Sequence, residues 1–165
     1  MSKELTLVLF GDVPEADIRE LGALLPGAGY RVIAVRNEPV PAAAYSPRRA
    51  QYLASAFLEV ALRHPGTVLG ITDLDLYTPD LNFVFGLAQR GGRGAVVSSH
   101  RLHHPIRRIY LERLVKEAIH ELGHVRGLGH CPDPLCVMHF SNSLADTDRK
   151  GPWLCGRCSL ADPGV

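Results

Sequence analysis

The 165-residue chain lacks a strong charge of either sign: 18 Lys and Arg against 17 Asp and Glu leave a formal net charge of +1. That removes the electrostatic case for nucleic acid or an anionic membrane as a partner. It also lacks a long apolar run. The stretch Leu5 to Phe10 is far shorter than the roughly 20 residues that span a bilayer, and it has neither the basic flank nor the cleavage site of a signal peptide. Repeats and low-complexity segments are absent, which argues against a solenoid. No cysteine occurs before position 131, and all four lie between 131 and 158. Methionine is nearly absent, Met138 being the only one besides Met1. The expectation is a cytoplasmic protein.

With 46% hydrophobic and 21% charged residues, the chain has the composition of one globular domain spanning 1–165. Glu4 to Phe10 forms a first strand. Pro14 opens a helix whose apolar face is Ile18, Leu21, Leu24 and Leu25. Tyr30 to Arg36 and Thr67 to Thr72 are further strands. Between them, Ser46-Pro47 is expected to cap one long helix with Tyr52, Leu53, Ala56, Phe57, Val60 and Ala61 at helical spacing. Asn82 to Ala88 and Gly94 to Ser99 form a hairpin about Gly91-Gly92. From Pro105 to Arg126 the pattern is helical, and beyond Gly127 it is loop-rich. The fold class is α/β, with a mixed, mostly parallel twisted sheet and one antiparallel hairpin.

The chemistry concentrates in His120-Glu121-Leu122-Gly123-His124-Val125-Arg126-Gly127-Leu128-Gly129-His130-Cys131. Four residues apart on a helix, His120 and His124 leave from one face and can share one tetrahedral Zn²⁺ at about 2.0–2.1 Å. Glu121 is placed as general base for a metal-bound water. A helix cannot carry a residue ten positions on to the same metal, so Gly127 must turn the chain. His130 then returns as third ligand, leaving a coordination position for water, which marks a catalytic site. The pairs Cys131-x₄-Cys136 and Cys155-x₂-Cys158 have metal-knuckle spacing; two disulfides in one of three connectivities are the alternative.

This stretch resembles the metzincin zinc consensus HExxHxxGxxH with its methionine turn. With Cys131, Cys136, Met138, Cys155 and Cys158 it is similar to the archaemetzincins. The resemblance implies a zinc metallopeptidase with two zincs, one catalytic and one structural on the four cysteines. It makes Met138 an apolar floor beneath the first metal. The zinc helix is expected to pack beneath the sheet, closing an upper subdomain of about 1–127 over a lower one of about 128–165, pinned by the cysteine zinc. Peptides or proteins are the implied substrates, acted on by a monomer with no nucleic-acid or membrane partner. With no cysteine ahead of position 131 to cap the metal, the site is expected to be open without processing. Two other functions stay open: an aminopeptidase confined to short peptides, and a module that keeps zinc and binds peptide with little turnover.

Other features receive plainer readings. Gly91-Gly92-Arg93-Gly94 lacks the GK[ST] ending of a phosphate loop and is a hairpin turn. Asp73 and Asp75 read as a solvated strand end. The pairs Arg113–Glu117 and Glu112–Lys116 read as surface i,i+4 support. His103, His104, Arg107 and Arg108 form a solvated patch, His139 is exposed, and His64 and His100 are bystanders. Gly86 lets another backbone approach, such as a peptide pairing with the strand Asn82 to Ala88.

Overall fold

The computed structural model describes residues 1–164; the expected domain runs to Val165, which lies outside them. Strand β1 (Lys3–Phe10) explains the layering. Its side chains alternate, so Leu5 and Leu7 join one core while Val8 and Phe10 join another, all four fully buried. A strand apolar on both faces needs cover on both. Helix α1 (Glu15–Leu24) follows, and a 3₁₀ turn, Leu25–Ala28, ends at Gly29 with φ 86° and leads into β2 (Tyr30–Glu38). The remaining elements are β3 (Tyr45–Ser46), β4 (Gln51–Leu53), α2 (Ala54–Ala61), β5 (Thr67–Thr72), β6 (Leu76–Tyr77), β7 (Gly86–Ala88), β8 (Gly94–Ser98), α3 (Arg107–Val125), α4 (Leu144–Arg149) and α5 (Gly156–Ala161).

The main sheet has the order β2-β1-β5-β8-β7, parallel except for β7, which runs antiparallel to β8 at the edge. This is the expected mixed, mostly parallel α/β sheet. Leu21 of α1 and Leu114, Ala118 and Leu122 of α3 pack on one face, and Ala54, Phe57 and Ala61 of α2 on the other. Among the described residues no helix is long and apolar enough to cross a membrane.

Three expectations need correction. The long helix after Ser46-Pro47 does not form. Ala50 takes φ 53°, and β3, β4 and β6 build a second small sheet, so the helix begins only at Ala54. The Tyr52 N–H donates to the Asp75 carbonyl at 2.8 Å, and the Gln51 amide donates to the Asn82 carbonyl at 2.8 Å. Long-range pairing overrides local helix propensity here. The strand expected from Asn82 is confined to Gly86–Ala88, because the Val84 N–H turns to the Leu76 carbonyl (2.9 Å) and joins β6 instead. Finally, Leu24 is 48% exposed and lies off the apolar face of α1, which Leu21 and Leu25 carry inward.

Candidate active site

Helix α3 runs under β7 and β8 with its middle turns buried, including His120 and Glu121. It stops where the sequence allows: Gly127 takes φ 98°, its N–H donates to the His124 carbonyl at 2.8 Å, and the Leu128 N–H returns to the Gly123 carbonyl at 3.1 Å. The left-handed turn is cheap only for glycine. It sends His130 back beside the helix, its ring centroid 5.4 Å from His120 and 4.9 Å from His124.

The second nitrogens of two rings are already committed. His120 Nδ1–H donates to the Val137 carbonyl at 2.8 Å, and His124 Nδ1–H donates to the Leu128 carbonyl at 2.8 Å. Such partners fix ring orientation and tautomer, so each Nε2 presents a lone pair. Those two atoms are 3.1 Å apart, an arrangement of acceptors that calls for a cation between them. One donor atom from each of the three histidines lies within 4.8 Å of the others, and a tetrahedral Zn²⁺ would hold such nitrogens about 3.3–3.4 Å apart. The set fits that ion. Burial holds all three imidazoles below their ordinary pKa, His120 furthest, which keeps them neutral and able to ligate.

Below the histidines, the turn Cys136 to His139 closes with the His139 N–H on the Cys136 carbonyl at 2.9 Å. It presents Met138, fully buried, to Gly123 of α3. A β-carbon at Gly123 would overlap the Met138 sulfur, so the helix needs glycine there for the turn to dock. Above, Glu121 lies against Gly86 of β7: a β-carbon at Gly86 would stand 2.6 Å from Glu121 Cγ and 2.5 Å from the Val96 carbonyl oxygen. Burial, reinforced by the charge of Glu117, pushes the Glu121 carboxyl up to about 8. A divalent cation alongside favours the charged form and opposes that rise.

Behind Glu121, Glu117 and Lys150 form a buried ion pair at 3.1 Å, their side chains 3% and 0% exposed. Thr147 and Ser141 hydroxyls also donate to Glu117, and Lys150 donates to the His139 carbonyl. The surface-pair readings on this helix are therefore wrong. Arg113 is buried and grips Asp148 through two bonds of 2.7 and 2.8 Å, while Lys116 donates to the Thr147 and Asp148 carbonyls. Each prefers a partner some thirty residues on to the helical neighbour. His139 is half-buried and donates to the Cys131 carbonyl. Asp75 is no free strand end, since Arg101 clamps it with two bonds of 2.7 and 2.8 Å.

The four cysteines are free thiols whose sulfurs all lie within 4.8 Å of one another. Cys131 and Cys155 sulfurs stand 3.7 Å apart, too far for a disulfide of about 2.05 Å and close to the roughly 3.8 Å of two thiolates on a tetrahedral zinc. Burial raises Cys136 and Cys158, whereas at Cys131 it is outweighed by hydrogen bonds from Arg157 and the neighbouring backbone, bringing that thiol to about 7. Cys131 is thereby the readiest of the four to present a thiolate, and a bound cation would draw the other three to that form.

The histidines, Glu121 and Glu117 open onto a cleft of about 530 Å³ walled by β7, Phe83, Phe140 and Arg90. The model for peptidase family M54 matches residues 42–161. The chain belongs to that family. As an M54 peptidase it is a zinc metalloprotease. The archaemetzincin of Methanopyrus kandleri is 56% identical over 127 residues, 75% of this chain and 73% of that one. The archaemetzincin of Thermococcus kodakarensis is 41% identical over 169 residues, 92% of this chain and 91% of the relative. The crystal structure of the M. kandleri protein superposes with a TM-score of 0.90 at 45% identity, covering 97% of this chain and 93% of that one. The archaemetzincin of Archaeoglobus fulgidus, complexed with malonate, gives 0.86 at 37% identity over 94% and 98% of the two chains. The sequence reading missed Gly123, Glu117 and Lys150 in this M54 site. Only Gly123, inside the motif, carried a signal: a helix-breaking residue kept mid-helix needs a packing reason.

Proposed function

We propose that His120, His124 and His130 hold the catalytic zinc, that Glu121 is the general base, and that Cys131, Cys136, Cys155 and Cys158 hold a second, structural zinc. The observation that carries this is the pair of Nε2 lone pairs converging 3.1 Å apart, each ring fixed by a backbone carbonyl, with Glu121 in the same cleft. Bound there, zinc supplies a Lewis acid and lowers the pKa of its water towards 7. Glu121 takes the proton of the attacking water and delivers it to the leaving amine nitrogen. Met138 floors the histidines, and the structural metal staples the core-poor segment after Gly127, which makes 128–165 the lower subdomain. A reducing compartment, the cytoplasm, suits four free thiols.

Substrate is held in our reading as an added strand on β7. The Phe85 carbonyl and the Gln89 N–H bond the β8 side, to Ser98 and Gly94. Alternation then turns the polar groups of Gly86 and Ala88 outward over the cleft. Elemental analysis of the purified protein should give two zincs per chain. Glu121→Ala should keep both and lose peptide hydrolysis by about 10²–10⁴-fold. Wild-type hydrolysis by a zinc-replete Glu121→Ala protein would refute the mechanism.

A further inference from the structure

Arg90 is the cation that walls the cleft, and nothing assigned so far uses it. It follows β7 at the hairpin turn and is solvent-exposed, yet the turn that carries it is tied to the end of α3. Its Nε donates to the Gly127 carbonyl at 3.3 Å. The next residue, Gly91, donates its N–H to the His124 carbonyl at 3.0 Å. The guanidinium also lies close to Gly129, where a β-carbon would stand 3.0 Å from Nη2. Arg90 thus lines the same cleft as His124 and His130. Among the described residues, no carboxylate pairs with Arg90. The two carboxylates that share the cleft, Glu117 and Glu121, line it with the earlier turns of α3, and Glu117 is already neutralised by Lys150. An anchored fork with free donors matches a carboxylate.

We propose that Arg90 is a specificity-determining residue that docks a carboxylate of the bound peptide at the His124 end of the cleft. Resting on the strand-addition reading above, the docked group lies on the part of the peptide that runs past the Ala88 end of β7. The carboxylate is either an Asp or Glu side chain or a free chain terminus. A positive group at this end also disfavours a substrate whose free α-amino group must sit there, which sets it against the aminopeptidase alternative.

The test is binding first, then turnover. Fluorescent peptides carrying Glu, Gln or Lys at each flanking position, with acetylated and amidated ends, are titrated into zinc-replete Glu121→Gln protein, with and without Arg90→Gln or Arg90→Glu. A second arm leaves the carboxyl terminus free. The Glu peptide should bind about three- to tenfold more tightly than the Gln peptide, less so at high salt. The preference should vanish in Arg90→Gln and reverse towards Lys in Arg90→Glu. A preference seen only in the free-terminus arm assigns the carboxylate to the chain end. Equal weakening of all peptides, or lost zinc with no change in charge preference, would mean that Arg90 only ties the hairpin to the Gly127 turn, and would overturn the proposal. Wild-type turnover of the same peptides separates the two readings: charge-selective binding without hydrolysis sinks the mechanism and not the docking role.

Discussion

The proposed base lies against the one glycine of β7, so Gly86→Ala perturbs its position directly. The added methyl would stand 2.6 Å from Glu121 Cγ, 2.8 Å from its Oε1 and 2.5 Å from the Val96 carbonyl oxygen. The Val96 oxygen belongs to the central part of β8, paired on both sides, and yields little. The Glu121 side chain is the more compliant wall. Restoring an ordinary contact requires it to retreat by roughly 0.8 Å, and misplacement of about 1 Å costs on the order of 10²-fold in rate, or about 2.7 kcal/mol of barrier. Nothing in the contact touches the three histidines, so zinc content should not change.

The assay is kcat and KM on a cleaved peptide, with zinc per chain and Tm measured on the same preparation. Gly86→Ala should keep the wild-type zinc content, lose Tm clearly because the Val96 carbonyl cannot move aside and β7 must shift, and lose about 10²-fold in kcat. A folded, zinc-replete variant within about threefold of wild-type kcat would show that Glu121 need not sit against β7.

Three further outcomes follow from the geometry. Lys150→Met leaves Glu117 buried and unpaired, so it should cost about 3–5 kcal/mol, seen as a Tm lower by about 10 °C; Glu117→Gln added to it should recover part of that, and simple additivity in a double-mutant cycle would contradict the pairing. Ala88→Pro removes an outward N–H that β8 does not use, and should raise KM several-fold with Tm nearly unchanged; an unchanged KM would place the peptide elsewhere. In metal-free protein, Glu121 remains protonated when folded up to about pH 8 but ionises near 4.5 when unfolded. The folded state therefore holds the extra proton between those values, and stability falls as pH rises from about 4.5 to 8. Glu121→Gln should abolish that loss, gaining about 3–5 kcal/mol over wild type by pH 8; equal urea midpoints for both proteins across that range would exclude it.

The parts of this fold legible in sequence are those whose signal is local. The four parallel strands β1, β2, β5 and β8 announce themselves by short apolar or alternating runs and the helix α3 by its periodicity, and Gly127 by a turn that only glycine makes cheaply. What failed was decided by partners far along the chain. The Tyr52-to-Ala61 stretch has a sound helical pattern, but Gln51–Leu53 are claimed by β6 and Asp75. Glu117 had an acceptable helical neighbour in Arg113, and nothing local shows that Lys150, 33 residues on, would displace it. A surface pair and half of a buried network look alike until the other half is folded against them.

The glycines carry the same argument further. Gly86 does admit a close approach, as glycine in a strand suggests, but what fills the gap is the carboxylate arm of Glu121, from a helix 35 residues on. Gly123 admits the Met138 sulfur and Gly129 the Arg90 guanidinium. The HExxHxxGxxH pattern fixes only the histidines, Glu121 and Gly127, leaving Gly123 and Gly129 as free positions. In this chain those free positions are where the floor and the hairpin close on the site. The spacing of the histidines suits a metal. The missing β-carbons between them specify which segments pack against it, and so how far the base and the docking cation stand from a bound peptide.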